Sequence, residues 1–157
     1  MAKRAPKTIQ RETTIEGAVS DAMSEIQSLA DEMREAFDNT PESLQNDGVG
    51  AARGEAADNL ENIQEPDVPT ELQGEKFTFK YNEVQLAPSK MRNRSRAGRR
   101  DDACSGLYHL IEFLESLEED EKDIYSKEEV EAAANFKEEV QTLIDEAEAV
   151  EFPGMYG

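Results

Sequence analysis

A mainly α-helical fold, with about four amphipathic helices in two αα-hairpin-like pairs and one short β-strand or β-hairpin between them, is predicted by three features of this 157-residue sequence. Apolar residues recur at steps of three and four along charged stretches, which places them on one face of a helix. Segments rich in Pro, Gly and Asn separate those stretches. A single run, "KFTFKYNEVQLAP", alternates aromatic and polar residues as a half-buried strand does.

The first stripe runs from Ile15 through Val19, Met23 or Ala22, Ile26, Leu29 and Met33 to Phe37, with Asp21, Glu25, Asp31, Glu32 and Glu35 on the other faces. The helix is expected to stop at Asn39 and restart with Thr40 as N-cap and Pro41 in the first helical position, where a missing N–H costs nothing. Glu42 then faces the positive end of the new helix. After "NDGVG", a second stripe of Val49, Ala52, Ala56, Leu60 and Ile63 is small enough to let the two helices approach and fold back on each other. "EPDVPTELQGE" reads as a linker.

In the alternating run, Phe77, Phe79 and Tyr81 share one face, and a tight turn at Asn82-Glu83 would set Tyr81 opposite Val84 and Phe79 opposite Leu86. Such an element is too small to stand alone in water, so its aromatic face has to pack on a helix or a partner. "DDACSGLYHLIEFLESLEE" follows with Cys104, Leu107, Leu110, Ile111, Leu114 and Leu117, the most apolar stripe and the expected centre of the core. A last helix opens with Ser126 and Glu129, a capping box, and carries Val130, Ala133, Val140, Leu143, Ile144, Ala147 and Val150, with Lys137 interrupting the stripe. The chain thus divides into a basic N-terminal arm (1–12), an acidic helical hairpin (13–65), a linker with the β element and a basic loop (66–100), a second helical pair (101–152) and a tail (153–157).

Charge is unevenly distributed. The net charge is -19, yet residues 1–11 and 89–100 hold ten of the seventeen Lys and Arg and no acid, which leaves seven basic residues against 36 acidic ones elsewhere. The body of the chain should therefore repel nucleic acid and anionic membrane. No run nears the ~18 apolar residues of a membrane span, and the first residues lack the apolar core of a signal peptide, so a cytosolic location is expected. With one cysteine there is no disulfide framework.

Little in the sequence points to catalysis. Cys104 and His109 are the only residues of their kinds and lie five apart on a helix, a poor spacing for a shared face, so both read as structural. Two such residues do not make a zinc site, the acidic run near 118–129 lacks the Gly of a calcium loop, and no phosphate-binding Gly motif is present. No metal and no cofactor are expected, and the chain reads as a non-enzyme. The strongest local anomaly is "SKMRNRSRAGRR", residues 89–100. Lys90, Arg92, Arg94 and Arg96 alternate, so an extended backbone would line them along one edge, and Arg99 and Arg100 follow. These six are the candidate partner-binding residues. Their targets are the chain's own acidic helices or those of another copy, an acidic protein, or RNA or DNA, for which the aromatics of "KFTFKY" could supply stacking.

Residues 25–63 resemble a recurrent helical hairpin of small phage-encoded proteins, in which an acidic helix ends in D-N-x-P-E-x-L-Q and a Gly-containing turn leads to an Ala/Glu-rich helix. The matching residues are Asp38, Asn39, Pro41, Glu42, Leu44 and Gln45. The resemblance covers about a quarter of the chain, implies a phage context and implies no activity. The expectation is therefore a phage accessory or virion-associated protein acting through protein–protein contact, as a homo-oligomer. Two other readings stand beside it: an acidic DNA mimic or other inhibitor of a host protein, and a nucleic-acid contact through the basic loop.

Overall fold

The structure, a computed structural model, describes residues 7–89, 94–119 and 124–153. Strand β1 (Thr8–Thr14) runs directly into helix α1 (Ile15–Asp38), followed by α2 (Gly48–Glu61), strand β2 (Thr78–Val84), α3 (Arg96–Glu118) and α4 (Lys127–Glu148). The fold is mainly helical with one small antiparallel sheet, in which β1 pairs with β2.

The helical stripes behave as periodicity requires. Ile15, Ile26, Leu29 and Met33 of α1, Leu60 of α2, Leu107, Leu110, Leu114 and Leu117 of α3, and Phe136, Val140 and Ile144 of α4 all belong to one continuous cluster of buried residues. α1 packs on α2, α3 on α4, and α1 also on α3, so the four helices share a core. The stripe on α4 is completed by Phe136, one residue before the apparent interruption, while Lys137 turns outward to Glu118 of α3 at 3.2 Å. The capping box forms as expected: Ser126 Oγ accepts from the Glu129 N–H, and Glu129 accepts from the Ser126 N–H.

The β element differs from the expected hairpin. β2 does not turn back at Asn82-Glu83; it continues to Val84 and pairs with β1, from Thr8 opposite Val84 to Thr14 opposite Thr78. Tyr81 thus faces Arg11, and Phe79 faces Thr13. Glu83 cannot easily adopt the left-handed backbone of a tight turn, whereas "TIQRETT" is rich in β-branched Thr and Ile and offers a full-length partner. The buried face of the sheet lies along α3, with Phe79 stacked on Phe113 at 4.8 Å and Tyr81 on His109 at 4.6 Å between ring centres. Two strand residues advance about 6.8 Å and four helical residues about 6 Å, so the two spacings match.

The helix stop at Asn39 also differs in detail. Thr40 does not cap a new helix. Its hydroxyl donates to the Ala36 carbonyl at 2.8 Å and accepts from Arg53 at 3.0 Å, because the chain turns through a short 3₁₀ segment (Glu42–Leu44) with Pro41 before it. α2 begins only at Gly48, where φ is 55°. Val49, expected in the apolar stripe, is exposed, whereas Ala57 is buried and Gly54 packs against the Phe37 ring of α1.

Candidate functional site

The basic segment is where sequence and structure meet on function. Ser95 caps α3, its hydroxyl accepting the Gly98 N–H at 3.0 Å, so the helix starts at Arg96 and not after the segment. Arg96 therefore opens a helix and does not continue an extended strand. Arg96, Arg99 and Arg100 instead fall at helical spacing, which turns them toward neighbouring elements. Lys90 and Arg92 lie outside the described residues.

Each described arginine has a definite partner in the same chain. Arg94 forms a two-pronged contact with Asp102, with Nη2 at 2.9 Å and Nε at 3.1 Å from the two carboxylate oxygens. Arg99 bridges two acids of α1, with Nε at 2.5 Å from Glu25 and Nη1 at 2.7 Å from Glu32. Arg96 reaches the same Glu32 at 3.5 Å. Glu25 and Glu32 are seven residues apart, two turns of α1, and so stand on one face. Partial burial works against the charge of Arg99, but the hydrogen bonds it donates to Glu25 and Glu32 outweigh it and hold its pKa above the ordinary guanidinium value. For Arg94 the hydrogen bond to Asp102 acts in the same direction and dominates.

Arg100 serves a different structure. Its Nη1 donates to the carbonyls of Ala147 at 2.9 Å, Val150 at 2.9 Å and Glu148 at 3.3 Å, and its Nε lies 2.6 Å from Asp101. The last carbonyls of a helix have no partners within it, and a cation there also meets the negative end of the helix dipole. α4 has no basic residue of its own in its last turn, so Arg100 of α3 supplies that role. The guanidinium carbon sits 5.6 Å from the centre of the Phe152 ring, and the side chain is only 13% exposed.

The D-N-x-P-E-x-L-Q residues act as a helix stop. Asn39 ends α1, its N–H donating to the Glu35 carbonyl at 2.9 Å. Gln45 folds back and donates to the carbonyls of Thr40 at 2.9 Å and Phe37 at 3.3 Å. Pro41 and Glu42 lead the 3₁₀ segment, Asp38 closes α1, and Leu44 is exposed. Gly50 packs so near the Leu44 carbonyl that a Cβ there would collide with it. The sequence reading missed Arg53, which joins α2 to this stop through Thr40, the one buried polar side chain among the described residues.

Cys104 and His109 do line a common surface depression of about 380 Å³, together with Asp101, Ser105, Tyr108 and Glu148. Burial pushes the Cys104 thiol up to about 11, and the nearby Glu148 charge adds to this, so the thiolate that a nucleophile needs is scarce at neutral pH. Tyr108 donates to Glu148 at 2.7 Å, and that bond raises its pKa to about 12. The His109 ring is stacked on Tyr81, with Nδ1 3.6 Å from Glu112. Among the described residues no group of three or more His, Cys, Asp or Glu is placed to hold a metal ion, and no helix is long and apolar enough to cross a membrane. Compared with known proteins, the chain matches no family model, no curated protein and no solved structure.

Proposed function

We propose that this chain is a non-enzymatic accessory or virion-associated protein of a phage, working in the host cytoplasm or the virion through protein–protein contact and self-association. One observation carries the reading. Among the described residues of the basic segment, Arg94, Arg96, Arg99 and Arg100 are engaged with the chain's own Asp102, Glu32, Glu25 and the end of α4, which supports a segment that holds this protein together more than one that holds nucleic acid. The scarcity of Cys104 thiolate adds support to a non-catalytic role. The packing of α1 on α2 and α3 on α4 supports two αα-hairpin units, and the D-N-x-P-E-x-L-Q resemblance supports the phage context. Light scattering on a sizing column, at high micromolar protein and several salt concentrations, tests the self-association; a strict monomer throughout contradicts it.

The same observation favours a second reading, an acidic mimic of DNA that occupies a host DNA-binding protein. A basic patch able to attract real DNA argues against a mimic, and internal pairing of Arg96, Arg99 and Arg100 reduces that patch. Release of a captured host DNA-binding protein by added duplex DNA would support the mimic, whereas capture of capsid or tail components supports the first reading. A direct nucleic-acid role is left to Lys90, Arg92 and the 35% exposed Arg94. Salt-sensitive binding of the purified chain to RNA or DNA would support it.

A further inference from the structure

Among the described residues the sheet has two strands, and its hydrogen-bond pattern fixes which backbone groups of β1 point away from β2. The Gln85 N–H donates to the Lys7 carbonyl at 2.8 Å, and the register continues from Thr8 opposite Val84. In an antiparallel ladder this alternation gives the inward bonds to residues 7, 9, 11 and 13 of β1. The N–H and C=O groups of Thr8, Gln10 and Glu12 therefore face the outer edge, where no backbone group among the described residues pairs with them. β1 is also the more open strand: Thr8, Gln10, Arg11 and Glu12 are all exposed, whereas β2 carries the buried Phe79. Within Thr8–Thr14 the edge has no proline and no bulge and carries β-favouring Thr and Ile, its two charges, Arg11 and Glu12, being of opposite sign.

We infer that a second copy of this chain adds its β1 to this free edge, antiparallel about Gln10, to give a four-stranded sheet of order β2-β1-β1-β2. This rests on the self-associating reading above and names the surface that would carry it. Charge selects both the surface and the register. Two copies at -19 repel each other almost everywhere, but the two strands carry Arg11 and Lys80 against Glu12 and Glu83 and are neutral together. Pairing about Arg11 or Glu12 would oppose each residue to its own copy, and pairing about Ile9 would set Lys7 against Arg11. Pairing about Gln10 sets Gln10 against Gln10, Arg11 against Ile9 and Glu12 against Thr8, with no like charges opposed.

Sedimentation of the full chain tests this with two substitutions. Gln10→Pro removes an N–H that points away from β2, so the internal ladder survives while the new edge is blocked. Dimerisation should weaken by at least about tenfold with circular dichroism and melting temperature retained. Gln10→Cys places two thiols across a hydrogen-bonded pair, about 5.5 Å apart at Cα, and should give a disulfide-linked dimer on oxidation, whereas Glu12→Cys should not. Added salt should promote the wild-type dimer by screening the repulsion between copies. If Gln10→Pro dimerises as well as wild type, edge pairing is wrong while self-association stands. If the wild type is monomeric at every salt concentration, both are wrong, and the edge is left to an extended segment of some other protein.

Discussion

In the described part of the segment 89–100, Arg96, Arg99 and Arg100 enter a helix and meet carboxylates and carbonyls of other elements. In the described part of 1–11, the chain becomes β1 and Arg11 meets only its sheet neighbour Glu83. The two stretches are alike in composition, but the first ties α3 to α1 and α4, and the second leaves its cation in water. Arg11 and Glu83 have side chains 55% and 40% exposed, so their 2.7 Å contact is heavily screened, whereas Arg99 and Arg100 are 27% and 13% exposed. What an arginine contributes here depends on whether the backbone delivers it, partly desolvated, to acceptors on other elements.

The largest change should come from the sheet's apolar anchor and not from any charge. Phe79→Ala removes a ring that is 7% exposed and stacked on Phe113, and is expected to cost about 3–5 kcal/mol by denaturant unfolding. Arg100→Gln should cost about 1–3 kcal/mol, because carbonyls at the end of α4 lose a shared donor in a partly buried setting. Amide exchange in the last turn of α4 should quicken along with it. Arg99→Gln should cost about 1 kcal/mol, and added salt should reduce the difference. Arg11→Ala should cost no more than about 0.5 kcal/mol, which a melting experiment would show as near-identity with wild type.

Acid provides a further contrast between paired and solvated charges. Hydrogen bonds from Lys76, at 2.8 Å, and then from the Ser126 N–H hold the Glu129 carboxyl below the usual carboxylate range. Its stabilising contribution is complete above the unfolded-state pKa and is lost as the pH falls through the lower folded value. Lys76→Ala should therefore lower stability slightly at neutral pH and make unfolding between neutral and acid pH less steep, as read from melting temperature against pH.

The helices were legible because their apolar residues repeat at the helical period over 14 to 24 residues, and the Ser126–Glu129 box marks one start unambiguously. The sheet was half legible. Phe79 and Tyr81 announce β2, but its partner is more than sixty residues earlier in sequence, and period-two patterning does not say which strand pairs with which. The start of α3 was obscured by its charge, since an arginine-rich run reads as a loop. Ser95 as a cap and the three-to-four spacing of Arg96, Arg99 and Arg100 were the available signals, and Glu25 and Glu32 two turns apart on α1 were their counterpart. Arg53 could not be found that way, because its role depends on Thr40 being buried by the turn that follows α1.

The decisive comparison is the unfolding free energy of wild type and of the triple variant Arg96→Gln, Arg99→Gln and Arg100→Gln across a salt series. If the basic segment clasps its own chain, the variant is less stable by about 2–4 kcal/mol at low salt. That gap narrows with salt as the Glu25 and Glu32 pairs are screened, and persists in part because the Arg100 bonds to neutral carbonyls are not ion pairs. Equal stability of the two proteins at every salt concentration would contradict the clasp.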